Sequence, residues 1–305
     1  MKHMPLVAGV GLVVMCVGAG FGQTANSSAT QQVEALARVE IGNKWGFIDK
    51  TGKMVIPPQF EGARSFYEQR AMVNMGGKQS FIDKSGKVIA QFENIVTDFS
   101  EHLAVVVIGG KMGFIDMTGN VVIAPQFENV GAFFDERAAV LIGDKLGFID
   151  KTGNLVIPPR FDGTYHFSEG LANVKIDGKM GLIDKTGKMI IAHLDNAGEF
   201  SEQLASVKMN GKWGFVDKTG SVVIPTQFEE AREFSEQLAA IKSGSKWGFI
   251  DKTGRVVIPA QFENAGNFSE QLAPVSVSGK WGFIDKAGKV VIPAQFETVG
   301  AFAKD

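Results

Sequence analysis

Short apolar runs alternate along this chain, and the same runs recur. In Trp213-Gly214-Phe215-Val216-Asp217 an extended backbone puts the two rings on one side and Gly214 and Val216 on the other. Another run, Leu204 to Met209, precedes it across Asn210-Gly211. Asn-Gly here, Asp177-Gly178 and Gly76-Gly77 elsewhere, suit a two-residue hairpin whose central residues need φ > 0. A third run, VVIP, follows the phrase DKTG. Three short strands joined by tight turns predict an antiparallel meander. The Pro is expected to end the third strand. The remaining segment, QFExAxxFSEQ, is too short for a solid helix. It reads as a loop or one helical turn pinned by two buried rings.

The pattern is periodic. The Phe of GFID stands at 47, 81, 114, 148, 215, 249 and 283, with Leu182 in the fifth place, every 33 or 34 residues. A second ring position is Phe in all eight copies, from Phe66 to Phe302. The repeats cover roughly residues 35–302. One such unit cannot bury its own apolar positions, whereas stacked copies can. The expected fold is all-β: eight repeats of about 34 residues, each a short antiparallel meander, in an open or superhelical array. A closed β-propeller is the alternative. Its blades normally need four strands and about 40–50 residues, and three strands are legible in each copy.

Between the second and third strands every copy keeps an Asp and, three residues later, a Gly. These pairs are Asp49 and Gly52, Asp83 and Gly86, Asp116 and Gly119, Asp150 and Gly153, Asp184 and Gly187, Asp217 and Gly220, Asp251 and Gly254, and Asp285 and Gly288. An Asp opening a turn accepts backbone N–H groups from the residues after it, and Gly closes the turn with φ > 0. The residues between them vary and are expected to point outward. The rival reading is calcium, but a Ca²⁺ loop needs several oxygen donors at close spacing. Each loop here offers one carboxylate and a hydroxyl that Ala287 lacks. A structural turn is the reading adopted.

The residue before the WG glycine is Trp45, Gln79, Met112, Leu146, Met180, Trp213, Trp247 or Trp281. Met and Leu at this place indicate apolar packing. If the rings are exposed instead, Trp213, Trp247 and Trp281 form the candidate ligand surface. The following position is Gly in seven copies and Ser80 in the second, which implies close packing against backbone or a large ring. His102, His166 and His193 fall at different phases of the repeat, so they make no recurring ligand set. The recurring Ser of FSE has no recurring His beside it, as nucleophilic catalysis requires. It reads as a cap or turn residue bonded to a nearby N–H. No phosphate-cradling G-x-x-x-x-G-K-[ST] loop occurs. No catalytic, cofactor or metal residue is assigned.

Composition adds a boundary. The chain has 305 residues, 24 of them Phe and 37 Gly, and a net charge of −2. Acids and bases interleave, so the basic footprint of a nucleic-acid binder is missing. At the N-terminus, MKH precedes the uncharged stretch 5–22, which reads as a signal peptide over 1–22. Cleavage is expected after Gly22 or after Ala25. An uncleaved membrane anchor is the alternative. A polar segment, 23–34, leads into the repeat domain, 35–305. The single Cys16 lies in the leader, in a stretch that departs from a lipoprotein box at Met15. The mature chain then has no disulfide and is stabilised by packing.

The phrase KWGFIDKTGKMVIPPQFEGARSF, followed by SEQLA or SEGLA, resembles the WG repeat family of bacterial β-rich repeats. The likeness spans the whole repeat region. Copies two to five depart from it at Trp, and the second reads Gln79-Ser80 in place of Trp-Gly. It implies fold and multiplicity, with no catalytic residues to carry across. The expected function is a non-catalytic, exported repeat protein of the periplasm or cell exterior. It would offer an extended surface to a protein or a cell-envelope polymer. A glycan or peptidoglycan binder using the repeat Trp residues is the alternative, and a hydrolase the remote one.

Overall fold

The computed structural model describes residues 35–92, 94–300 and 302. The leader 1–22 and the segment 23–34, with Cys16 and His3, lie outside the described residues. Each KWGFID run is the third strand of a four-stranded antiparallel sheet in seven of eight cases. In the sixth sheet the order is Asn196–Ser201, Leu204–Met209, Lys212–Asp217 and Val222–Phe228. The first sheet has three strands, Ala37–Ile41, Lys44–Ile48 and Met54–Phe60. The sheets are independent of one another in pairing. Among the described residues no strand from the chain's end joins the first sheet, and no barrel closes by strand pairing.

The fourth strand corrects the three-strand count. It comes from the segment read as a loop or helical turn, and it belongs to the next repeat's sheet. Gly62–Ala63, for example, leaves the first repeat and pairs with Ala71–Met75 of the second. The strand is two residues long in five of the sheets, too short for alternation to reveal it. The strand before it runs through its Pro to Phe228 or its equivalent, rather than ending there. Among the described residues no helix is long and apolar enough to cross a membrane.

Both faces of a typical sheet are buried. In the sixth sheet Phe215, Ile224, Phe228 and Phe234 pack against Ala239, Ile241 and Ile250 of the seventh. On its other face, Ala205, Val207 and Val216 meet Leu182, Leu194 and Phe200 of the preceding repeat. This explains why Gly, Phe and Ile of GFID are all apolar although they alternate sides. The two ring positions meet directly: Phe215 and Phe234 lie 4.8 Å apart, centre to centre, and Phe249 and Phe268 lie 5.0 Å apart. Burial of each ring contributes about 1.5–3 kcal/mol. By contact density the chain divides into two units, residues 35–143 with 147–155, and residues 144–146 with 156–302, and the division passes through the fourth sheet.

The glycine of WG has a backbone reason. Between Trp213↔Phe228 and Phe215↔Ile224 the pairing slips, and the partner strand bulges through Pro225. The bulge folds over Gly214, where a Cβ would meet the Ile224 carbonyl oxygen at 2.5 Å and the Thr226 nitrogen at 2.7 Å. The second repeat is two residues shorter between its first two Phe positions, Phe81 and Phe92, than the first between Phe47 and Phe60. Its register runs regularly through Gln79↔Phe92, Ser80↔Gln91 and Phe81↔Ala90. The missing residues are the bulge, and without it Ser80 fits.

The turn glycines have a second reason besides φ. Gly254 has φ +85°, and its α-carbon lies against Ile224 of the preceding repeat, so that a Cβ would stand 3.3 Å from the Ile224 Cγ2. Gly52 has nearly the same φ, +84°, but among the described residues nothing lies within 4 Å of its Cβ position. Gly52→Ala is therefore expected to cost about 1 kcal/mol for the left-handed backbone alone. Gly254→Ala is expected to cost about 2 kcal/mol. Equal shifts of the urea midpoint for the two would contradict the packing contribution.

Candidate functional site

The Asp of each turn is fully engaged. Asp251 Oδ1 accepts the Thr253 N–H at 2.9 Å, the Thr253 hydroxyl at 2.6 Å and the Arg255 N–H at 3.1 Å. Gly254 N–H donates to the Asp251 carbonyl at 2.9 Å. Asp49, Asp83, Asp116, Asp150, Asp184 and Asp217 repeat this set. Asp285 does so without the hydroxyl that Ala287 lacks. Gly52, Gly86, Gly119, Gly153, Gly187, Gly220, Gly254 and Gly288 all have φ between +80° and +87°. Among the described residues no three His, Cys, Asp or Glu side chains converge as a metal would need.

These bonds bias the carboxyl groups. At Asp49, Asp150, Asp217 and Asp251 the threonine hydroxyl is the main cause that holds the pKa below the usual carboxylate range, against burial. At Asp83, Asp116 and Asp184 burial pulls upward most strongly, and the hydroxyl and N–H bonds together outweigh it. A folded-state pKa below the unfolded value adds stability above the unfolded value and loses it as pH falls through the folded one. The thermal midpoint is thus expected to hold from about pH 8 to 5 and to drop below about pH 4. A midpoint constant down to about pH 2 would contradict this account.

The Lys of DKTG is not a free outward side chain, as sequence reasoning expected. Lys286 Nζ lies 3.0 Å from Glu236 Oε2, the Glu of FSEQ two repeats earlier. Lys252 pairs with Glu202, Lys218 with Glu169 and Lys151 with Glu101, each at 3.0 Å. The same carboxylates accept a backbone N–H from the repeat between. Gln237 N–H donates to Glu202 Oε2 at 3.0 Å, and Gln271 N–H to Glu236 Oε2 at 3.0 Å. Each Glu therefore clamps three consecutive repeats. At Glu202 burial opposes the charge, but Lys252 and the Gln237 N–H hold the carboxyl below its usual range.

The exception tests the rule. For Glu68 the Lys position is Met117. Glu68 still accepts the N–H groups of Glu101 and His102, at 3.0 and 2.8 Å. Arg70, where five later copies have Leu and one has Arg137, reaches across and donates to the Met117 carbonyl at 2.8 Å. His102 thus occupies the Gln position of FSEQ. The serine reading also needs correction. Its hydroxyl does not bond a nearby N–H; it donates to the second-Phe carbonyl of the next repeat, as from Ser235 to Phe268 at 2.7 Å and from Ser201 to Phe234 at 2.8 Å.

The three tryptophans share one register position, opposite Phe228, Phe262 and Phe296, but not one environment. Trp247 is 4% exposed, packed in the core with Arg232 over its ring. Trp213 is half-buried under Lys208. Trp281 lines an open depression of about 450 Å³ with Arg232, Ser235, Asn267 and Ser269. His166 lies 3.3 Å from Glu199, and burial, aided by Glu199, pushes the Glu233 carboxyl above its usual range. His193 is a bulge residue with φ +62°. The recurring Ser168 hydroxyl, two residues from His166, donates to the Phe200 carbonyl at 3.1 Å.

Sequence reasoning missed the most repeated surface feature. The third long strand of every sheet is an edge strand, and its opening residues are exposed and apolar in most copies. In the second unit these are Val222 and Val223, Val256 and Val257, and Val290 and Val291. In the first unit they include Met54, Val88, Val121 and Val122. The signal was present as a VV doublet in a strand with a polar turn before it.

A family model described as "WG containing repeat" matches eight successive stretches, 45–78, 80–111, 112–145, 147–179, 180–213, 213–247, 247–281 and 281–305. The chain belongs to this WG repeat family. No curated protein sequence matches it. Among solved structures, the WG repeats are similar to a chain described as the eukaryotic initiation factor, with a TM-score of 0.57 and 13% identity over 85% of this chain and 84% of that one. At that identity the likeness concerns fold alone. PorZ, a surface component of the type-IX secretion system of Porphyromonas gingivalis, aligns at 12% identity over 78% of this chain and 38% of its own, with a TM-score of 0.33.

Proposed function

We propose that this WG repeat protein is a non-catalytic, exported interaction module that holds a protein or envelope polymer through many weak apolar contacts. The observation that carries this reading is the recurring pair of exposed valines on the edge strands. The repeated Asp, Gly, Glu, Lys, Ser and Phe all serve to hold the sheets together. Exposed valine pairs stand at this place in four of the eight copies, three of them consecutive. Contacts of one kind at regular spacing gain avidity when a partner engages several together. A Pro follows within each strand, at Pro225, Pro259 and Pro293, and blunts pairing by an added strand. The partner therefore meets side chains. Export is supported by the charged start and uncharged stretch of residues 1–22.

A second reading, glycan binding, is favoured at one place, the depression beside Trp281 with Arg232 and Asn267. One experiment separates the two. Immobilised protein is exposed to purified peptidoglycan sacculi and, separately, to detergent-solubilised bacterial envelope proteins. The variant Val223→Lys/Val257→Lys/Val291→Lys, verified as folded by circular dichroism, is expected to lose envelope-protein retention by about tenfold or more. Retention of sacculi lost in Trp281→Ala but not in the valine variant would establish the glycan reading instead. Retention unaffected by either change would refute both. Cell fractionation and intact mass check export, with the mature chain beginning after Gly22 or Ala25.

A further inference from the structure

The two ends of the array carry the two halves of a contact that recurs inside it. Within the array, one sheet offers Phe, Ile and two further Phe side chains, and the next covers them with Ala, Val or Ile and Ile. Phe249, Ile258, Phe262 and Phe268 meet Ala273, Val275 and Ile284 in this way. At the eighth sheet the first half lacks a cover. Phe296 and Phe302 are 42% and 41% exposed, against 5% for Phe262 and 1% for Phe268 one repeat earlier. At the first sheet the second half is open: Ala37 is exposed, and Val39 and Ile48 are only half-buried.

Three further features are matched in the same way. Among the described residues the first sheet lacks the short strand that pairs at this place in every later sheet. Thr298 and Val299 hold the place in the last repeat that Asn264 and Ala265 hold in the one before, yet belong to no strand. By the register Asn264↔Ser276 and Ala265↔Val275, they belong opposite Glu40 and Val39. Gly52 has open space where every later turn glycine but one meets an Ile, and Ile292 of the eighth sheet has no glycine to meet. Finally, Glu270 is the next Glu in the clamp series and is exposed, and Lys50 is the first Lys of the series and is exposed. Neither has an ion pair among the described residues.

We propose that the chain associates head to tail with a second copy of itself: the last sheet of one copy stacks on the first sheet of the next. Thr298 and Val299 supply the missing fourth strand, and Glu270 pairs with Lys50 of the neighbouring copy. Apolar continuity, strand addition and charge complementarity all select this occupant. Among the described residues the chain's own first and last sheets share no strand. Such a contact is heterologous and gives open chains of copies, or closed rings where the rotation returns on itself.

Sedimentation velocity over a concentration series of the full chain tests this. Wild-type protein is expected to form dimers and longer species as concentration rises. Phe296→Glu/Phe302→Glu, folded by circular dichroism, is expected to weaken association by about 100-fold. Lys50→Glu and Glu270→Lys are each expected to weaken it alone, and an equimolar mixture of the two is expected to restore it, because each contact then joins opposite charges again. Wild type that stays monomeric at every concentration overturns the proposal. So does assembly indifferent to the Phe and charge changes, or a mixture that fails to recover. In a Cys16→Ser background, a Val39→Cys/Val299→Cys variant is expected to oxidise to a ladder of linked chains. Oxidation within single chains would mean that the ends close on themselves, and would overturn it too.

Discussion

Gly248→Ala is expected to destabilise the protein by about 3 kcal/mol, more than any other single methyl addition considered. The strand Lys246–Asp251 is extended at Gly248, so the cost does not come from φ. It comes from the neighbouring strand, whose bulge lays backbone directly over the α-carbon. The new Cβ would stand 2.5 Å from the Ile258 carbonyl oxygen, 2.7 Å from the Ala260 nitrogen and 2.8 Å from the Pro259 carbonyl carbon. None of these atoms belongs to a side chain that can rotate away. Either the bulge is expelled, with loss of Trp247↔Phe262 pairing, or the two strands separate. The natural counterpart is Ser80, which faces a regular strand. Ser80→Ala is expected to be neutral or slightly stabilising, because the Ser80 hydroxyl is buried without a partner. Urea unfolding of both variants checks the pair. A Gly248→Ala midpoint equal to wild type would mean that the bulge yields at no cost.

Glu236→Ala is the second large effect, expected to cost about 2–3 kcal/mol. The side chain is 16% exposed and holds two other repeats at once, through the Gln271 N–H and Lys286. Removing it leaves a backbone donor without its acceptor and an ammonium without its counter-ion. The reverse change is milder. Lys286→Met, which copies the natural Met117, is expected to cost under about 1 kcal/mol, since the Glu keeps its N–H bond and Lys286 is partly solvated. In the double variant the Lys change is expected to add little to the Glu change, because both act on one contact. Thermal unfolding of the four proteins closes this cycle, and strict additivity would show that the two side chains act separately.

Much of this was legible in the sequence. The period, the hairpin turns and the Asp…Gly loop came from residues that are neighbours along the chain, where turn chemistry is local. The borrowed strand was not legible, because a period has no starting point. Eight copies of one phrase show how long the unit is, but not whether its tail folds on its own body or on the next. Gly62–Ala63 also carries too few residues to show alternation. The Glu–Lys clamp was hidden for a different reason. Its partners lie 49 or 50 residues apart, about one and a half periods, and both are present in nearly every copy. Two copies depart from this: Met117 stands in for the Lys opposite Glu68, and Asp135 stands in for the Glu that follows the second Phe, Phe133. As for the tryptophans, strand alternation placed Trp213, Trp247 and Trp281 on equivalent positions, and burial then separated them. Their neighbours, Lys208, Arg232 and the open end of the array, lie outside the repeated phrase and decide how much of each ring is left to solvent.

The borrowed strand also bears on how such a chain changes length. Because each tail completes whichever sheet follows it, a gene that gains or loses one whole copy joins ends that already fit. The seam needs no new residues, and the frame of the cut does not matter as long as the step is one period. Only the clamp, which reaches past its nearest neighbour, must find a new lysine, and in almost every copy the residue waiting there is one.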